Sequence, residues 1–191
     1  MTDYLRQIPN ALTLLRIALV VPFAVLVLRG EFVAALIILL VAALTDGLDG
    51  FLARYFHWRT VFGSIADPVA DKFLLVTTYI CLGLLDQMAW WLVAVVVGRD
   101  LIIFSGAIAY WFLVGRYEGK PTLVSKLCTF CQIVVGIGVL AHLAFLPLPA
   151  WFFQTYPWVL LVLCTVSLAQ YLKWGIEGYR NRGSRGEASR E

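Results

Sequence analysis

The sequence predicts an all-α integral membrane protein, with six transmembrane helices and a short N-terminal amphipathic helix at the interface. Three observations carry that expectation. Hydrophobic residues make up 61% of a 191-residue chain and mean hydropathy is +0.85, whereas soluble domains are about 45–50% apolar. The apolar residues fall into six runs, each near the roughly 20 residues that cross a hydrocarbon core. Lysine and arginine gather on alternate connections between the runs, as the positive-inside bias requires.

The elements follow in order. Residues 2–8, TDYLRQI, are short and amphipathic and read as a helix lying among headgroups. The six spans are expected over 11–28, 32–55, 62–84, 90–113, 122–146 and 154–175. Pro147, Pro149 and Pro157 are expected in the last external turn. The first run opens on Pro9-Asn10 and lacks a small-residue cleavage site, which argues against a cleaved signal peptide. The chain therefore divides into a membrane domain, 1–175, and a basic flexible tail, 176–191.

Arg6, Arg54, Arg59, Arg116, Lys120 and the four arginines of the tail fall on one side, and Arg29 on the other. Both termini are thus expected in the cytoplasm, and a bacterial inner membrane is the expected location. The net charge of +3 is mild. A basic cytoplasmic rim suits anionic membrane lipids, and no nucleic-acid partner is expected. Cys81, Cys128, Cys131 and Cys164 all lie in apolar runs. The lone Cys128-x2-Cys131 pair has no second pair or nearby histidine for zinc, so the cysteines read as small packing residues.

The stretch TDGLDGFLARYFHWRTVFGSIADPVADKF breaks the apolar pattern with Asp46, Asp49, Asp67 and Asp71. Each acid inside a span costs about 2.5–3.5 kcal/mol on insertion scales, so the four must face a wet cavity, bind cations, or both. Asp46, Asp49, Gly50 and Ala53 share one helical face, with Arg54 beside it. Gly63, Asp67 and Asp71 share a face of the next span. An antiparallel pair would set two carboxylates against two. Such an all-oxygen donor set suits Mg²⁺ or Mn²⁺, two ions of which could clamp a phosphate oxygen. Gly50 and Ala53 remove bulk, and Gly63 opens a helix whose free N–H groups favour phosphate. Taken singly, each glycine is explained by helix packing.

Asp49-Gly50-x2-Ala53-Arg54-x8-Gly63-x3-Asp67-x3-Asp71, preceded by Asp46, resembles the complete signature of the CDP-alcohol phosphotransferases. Pro9-Asn10-x2-Thr13-x2-Arg16 resembles that family's opening to its first helix, near the nucleotide site. The resemblance implies a six-helix membrane fold, usually homodimeric, whose active site faces the cytoplasm here. It implies transfer of a phosphatidyl group from CDP-diacylglycerol to an acceptor hydroxyl, with release of CMP. Asp46, Asp49, Asp67 and Asp71 would hold the metals, and Asp71 would also serve as general base. Asp49, Gly50, Ala53, Arg54 and Gly63, with Asn10 and Thr13, would bind the CDP group.

The acceptor is read from the second half, where Arg99, Arg116, Lys120 and Lys126 are the candidate binding cations. Arg99 lies well inside a span and must either pair with Asp100 or meet an anionic substrate. Lys126, Thr129 and Gln132 are expected along one side of the fifth span. Phosphatidylglycerolphosphate synthases resemble Gly-Lys-x-Lys-Thr here, whereas this chain has Ser125-Lys126-Leu127-Cys128-Thr129. One cation fewer suits a phosphodiester acceptor. The segment GKPTLVSKLCTFCQ, with Gly98-Arg99-Asp100, is more similar to cardiolipin synthases that use CDP-diacylglycerol. Phosphatidylglycerol is thus the expected acceptor, with glycerol 3-phosphate as the alternative. A divalent-ion transporter would not need the glycines and Arg54 at these spacings. A prenyltransferase would carry its acidic motifs on helices far apart in a longer chain.

Overall fold

The structure, a computed structural model, describes residues 8–55, 61–114 and 122–187, with side chains over 14–45, 72–106 and 122–174. Among the described residues there are six helices and no strand: α1 (Ile8–Leu28), α2 (Phe32–Tyr55), α3 (Val61–Leu84), α4 (Trp90–Val114), α5 (Leu123–Ala144) and α6 (Ala150–Glu187). Each lies where a span is expected. The expected interfacial helix falls almost wholly outside the described residues.

The last helix differs from expectation at both ends. Pro157 sits inside α6 rather than in the preceding turn, as Pro22 sits inside α1. A proline removes one backbone hydrogen bond. In an apolar surrounding, unwinding the helix would leave more groups unsatisfied than keeping it does. At its other end α6 continues past residue 175 to Glu187, through much of the stretch expected as a tail.

The helices end on local backbone devices. Gly30 adopts φ 79° after α1. Its N–H donates to the Val27 carbonyl at 3.1 Å, and the Glu31 N–H to the Leu26 carbonyl at 2.9 Å. This is the Schellman pattern, which needs a left-handed residue and favours glycine. The α3 terminus repeats it without glycine. Asp86 takes φ 57°, its N–H donates to the Gly83 carbonyl at 3.1 Å, and the Gln87 N–H to the Leu82 carbonyl at 2.9 Å. After α5, the Leu148 N–H donates to His142 Nδ1 at 2.9 Å.

The chain forms two compact units, residues 1–89 with 133–149 and residues 90–132 with 150–191. In the first, α1 packs against both α2 and α3. Phe23 and Val27 from α1, Ala35 and Leu39 from α2, and Tyr79 and Leu82 from α3 are buried there. The second half of α5 joins this unit. A Cβ at Gly136 would meet Thr78 Cγ2 at 3.4 Å, the near limit of ordinary van der Waals contact, so α5 and α3 approach closely there. In the second unit α4 packs against α6. Trp91 and Trp158 meet across those two helices with ring centroids 6.2 Å apart. Phe152, Phe153 and Tyr156 form a further aromatic group at the start of α6.

Large apolar side chains face outward as well as inward. Val21, Leu44, Phe130 and Val162 are 60–67% exposed, while Arg16, Arg99, Asp100 and Gln132 are 0–4% exposed. An apolar exterior matches a hydrocarbon solvent, and the few buried polar groups lie within a mostly apolar core. Leu123–Ala144, with hydropathy 2.0, and Ala150–Trp174, with 1.6, are long and apolar enough to cross a membrane. Leu14–Leu28, Phe32–Thr45 and Lys72–Leu84 are shorter apolar stretches over the described side chains.

The Asp86 turn yields a stability prediction. A left-handed conformation costs a non-glycine residue about 1 kcal/mol, so Asp86→Gly should stabilise the protein by up to that amount. Asp86→Val should destabilise it by more, because a β-branched side chain tolerates that backbone least. Thermal unfolding in detergent measures both.

Candidate functional site

The signature residues are carried by two helices that share a neighbour. Asp46, Asp49, Gly50, Ala53 and Arg54 lie on α2, and Gly63, Asp67 and Asp71 on α3. α1, which carries Asn10 and Thr13, packs against both. The side chains of all these residues lie outside the described ones, so their mutual geometry is not specified. Immediately before Asp46, the Thr45 hydroxyl donates to the Val41 and Ala42 carbonyls, each at 2.9 Å. This back-bonding absorbs the hydroxyl within the helix. Arg16, on the same helix as Asn10 and Thr13, is buried at 2% exposure. Among the described side chains, no group of three or more His, Cys, Asp or Glu could hold a metal.

The second unit contains a polar cluster with described geometry. Arg99, on α4, is buried and donates from Nη1 to Asp100 Oδ1 at 2.6 Å. Its Nη2 donates to Ser125 Oγ on α5 at 2.6 Å and to Ser167 Oγ on α6 at 2.5 Å. Its Nε is also buried and has no hydrogen-bond partner among the described residues. The expected pairing with Asp100 therefore exists, and two hydroxyls from other helices join it. A guanidinium presents five donors in a rigid plane. Three are used by these bonds, and the Nε–H and the second Nη1–H remain for acceptor oxygens.

The remaining candidate cations separate. Arg116 and Lys120 lie outside the described residues. Lys126 is exposed on α5. Of the expected polar side Lys126-Thr129-Gln132, Lys126 is exposed, Thr129 half-buried and Gln132 buried. Ser125, Cys128 and Gln132 are the buried residues, while Lys126, Leu127 and Phe130 are exposed. The reason is geometric. Positions 126 and 132 lie roughly 120° apart around a helix of 3.6 residues per turn, whereas 125, 128 and 132 follow one stripe.

The buried cysteines pack as expected, and all four are free thiols. Cys128 Sγ lies 3.5 Å from Cys164 Sγ, and Gln132 Nε2 lies 3.7 Å from the same Cys164 Sγ. Cys128 thus occupies the interior beside Ser125 and Gln132, on the face that a second lysine would have made cationic.

Two residues were missed by reading motifs. Arg16 closes the Pro9-Asn10 motif but was not named among the site residues. Ser167 lies in no motif, yet Tyr156, Leu160, Cys164 and Ser167 are all buried at helical spacing. Their periodicity marks an inward stripe on which a serine is the polar exception.

Comparison with known proteins is consistent with the signature on α2 and α3. The CDP-alcohol phosphatidyltransferase family matches residues 6–169. The chain belongs to that family. It is 30% identical over 191 aligned residues to a probable cardiolipin synthase (CMP-forming) of Drosophila melanogaster, covering 87% of this chain and 56% of the relative. It is 32% identical to the human cardiolipin synthase (CMP-forming), covering 70% of this chain and 50% of the relative. It is 39% identical to the CDP-diacylglycerol–glycerol-3-phosphate 3-phosphatidyltransferase of Escherichia coli K12, covering 67% of this chain and 73% of the relative. The chain thus spans about half the length of the two animal relatives.

The ion pair yields a second prediction. Asp100→Ala would leave Arg99 buried without its carboxylate and should cost about 3–5 kcal/mol. Removing both charges in Arg99→Met/Asp100→Ala should recover most of that loss. Denaturant unfolding of the two variants in detergent provides the comparison.

Proposed function

We propose that the protein transfers the phosphatidyl group of CDP-diacylglycerol to a hydroxyl of phosphatidylglycerol, giving cardiolipin and CMP. The observation that carries the transferase reading is the complete aspartate signature on α2 and α3. Asp46, Asp49, Asp67 and Asp71 form a hard, all-oxygen donor set suited to two Mg²⁺ or Mn²⁺ ions, which would neutralise the diphosphate of the donor. Arg54 pairs with a phosphate of the CDP group, and Gly50, Ala53 and Gly63 leave room for it. Asp71 takes the proton of the acceptor hydroxyl as its oxygen attacks the phosphatidyl phosphorus. The bond from that phosphorus to the CMP oxygen breaks, and CMP leaves.

The buried face of α5 supports phosphatidylglycerol as acceptor. Cys128, where phosphatidylglycerolphosphate synthases resemble a lysine, lies in the interior beside Ser125 and adds no charge. The Arg99 cation is balanced by Asp100, and the Arg99 Nε–H is the donor offered to a single phosphodiester. Lys126, Arg116 and Lys120 are the further candidate cations for the acceptor. The 39% identity to the E. coli glycerol-3-phosphate enzyme favours the second reading, synthesis of phosphatidylglycerolphosphate.

The same reading takes all six helices as membrane spans, with both termini and the acidic site on the cytoplasmic side. The arginine and lysine distribution supports that orientation. A bacterial inner membrane and a homodimer complete the proposal.

An acceptor competition tests it. Purified protein, CDP-diacylglycerol and Mn²⁺ or Mg²⁺ should convert labelled phosphatidylglycerol to cardiolipin, and convert glycerol 3-phosphate poorly. The reverse preference would replace the acceptor and leave the transferase chemistry standing. Chelation of divalent ions should stop CMP release. Asp71→Asn should lower turnover about 10²–10⁴-fold, the range for losing a general base. Unchanged turnover in that variant would remove Asp71 from the role.

A further inference from the structure

We propose that Ser167 is a positioning residue for the acceptor: it holds the Arg99 guanidinium in the one plane that presents Nε–H to the acceptor phosphate. The inference rests on the reading of Arg99 as an acceptor-binding residue. Nothing in the sequence motifs includes Ser167.

The geometry supplies the argument. The Nη1 bond to Asp100, at 2.6 Å, is made to the adjacent residue of the same helix. That single bond fixes a charge partner but leaves the guanidinium free to swing with the side chain. Nη2 has two hydrogens. One goes to Ser125 on α5 at 2.6 Å and the other to Ser167 on α6 at 2.5 Å. Acceptors on three helices then define the plane, and both Nη2 hydrogens are withdrawn from any ligand. The donors left over are the second Nη1–H and the buried Nε–H, and of the three nitrogens Nε alone has no hydrogen-bond partner among the described residues.

The chemistry of the holding groups matters as much as their placement. Serine accepts from Arg99 without adding charge. With Asp100 the Arg99–Asp100–Ser125–Ser167 group sums to zero. A second carboxylate at position 167 would hold the guanidinium equally well but make the group anionic, and would repel a phosphate. A neutral hydroxyl positions the cation while keeping the site open to an anion. Ser167 is fully buried, so its hydroxyl gains nothing from solvent, and a purely apolar contact with α4 would not need one.

The test compares Ser167→Ala and Ser167→Thr with the unaltered full chain in mixed micelles. Steady-state rates are measured against CDP-diacylglycerol and against acceptor. Acceptor affinity is measured separately by titration with phosphatidylglycerol and with glycerol 3-phosphate. Ser167→Ala should raise the acceptor KM and Kd about tenfold, the scale of one hydrogen bond to a charged group. The KM for CDP-diacylglycerol should not change. Ser167→Thr, which retains the hydroxyl, should restore the acceptor values. Equal increases in both KM values, or acceptor affinity unchanged in Ser167→Ala, would overturn the proposal. If Ser167→Ala does not fold, Ser167→Cys keeps the volume with a weaker acceptor, and the same split is required of it. Should glycerol 3-phosphate prove the acceptor, the cardiolipin reading fails while the Ser167 proposal is judged on that acceptor. Should neither acceptor turn over, the titrations still decide it, and equal Kd values in all variants would reject it.

Discussion

A cation held inside an apolar solvent must find its partners within the protein, and Arg99 shows how this chain meets that constraint. Water would satisfy a guanidinium at a soluble surface at little cost. Here the outward faces are rich in Val, Leu, Phe and Trp, and Arg99 is buried in a mostly apolar core. The α4 helix brings its own carboxylate at the next position, and α5 and α6 each bring one hydroxyl. The packing of α4 against α6 is therefore more than an apolar contact, because it also completes the solvation of a charge. Continuum arguments and experiments make such buried pairs weak sources of net stability. Their value lies in specifying one arrangement, since any other leaves a charge unpartnered.

In the first unit the helix that carries no acid packs against both helices that do. α1 contacts α2 and α3 through Phe23 and Val27 in its apolar half. It brings a buried arginine, Arg16, into the same unit as the four aspartates.

Much of the helical layout was legible in the sequence because hydropathy and length limit the options for a chain in a bilayer. Six apolar runs separated by short polar turns leave few ways to place helices. The turn ending α1 was less legible than its glycine suggests, since the equivalent turn after α3 uses Asp86. Pro157 was misplaced because a proline is a turn signal in water and a tolerated residue in a helix surrounded by hydrocarbon. The inward face of α5 was not legible from its polar residues for a different reason. A lysine draws attention as chemistry, but it is the long side chain most able to reach outward from an apolar helix. The spacing of the aspartates was enough to set each pair on one helical face, and the family was legible from its complete signature. The Arg99 cluster was readable only as far as Asp100. Ser125 and Ser167 lie far away in sequence, and only folding brings them to the same nitrogen.

The contact between Trp91 and Trp158 gives this molecule an optical label of its own. The two indoles come from α4 and α6, the helices joined by the Arg99 cluster, and their rings lie 6.2 Å apart at a 40° tilt. Chromophores this close couple electronically, and the coupling falls steeply as they separate. The near-ultraviolet circular dichroism of the unmodified protein therefore contains a component that reports the spacing of α4 and α6. A ligand that loosened or tightened this helix pair would register in that band without a probe, a crosslink or a substituted residue.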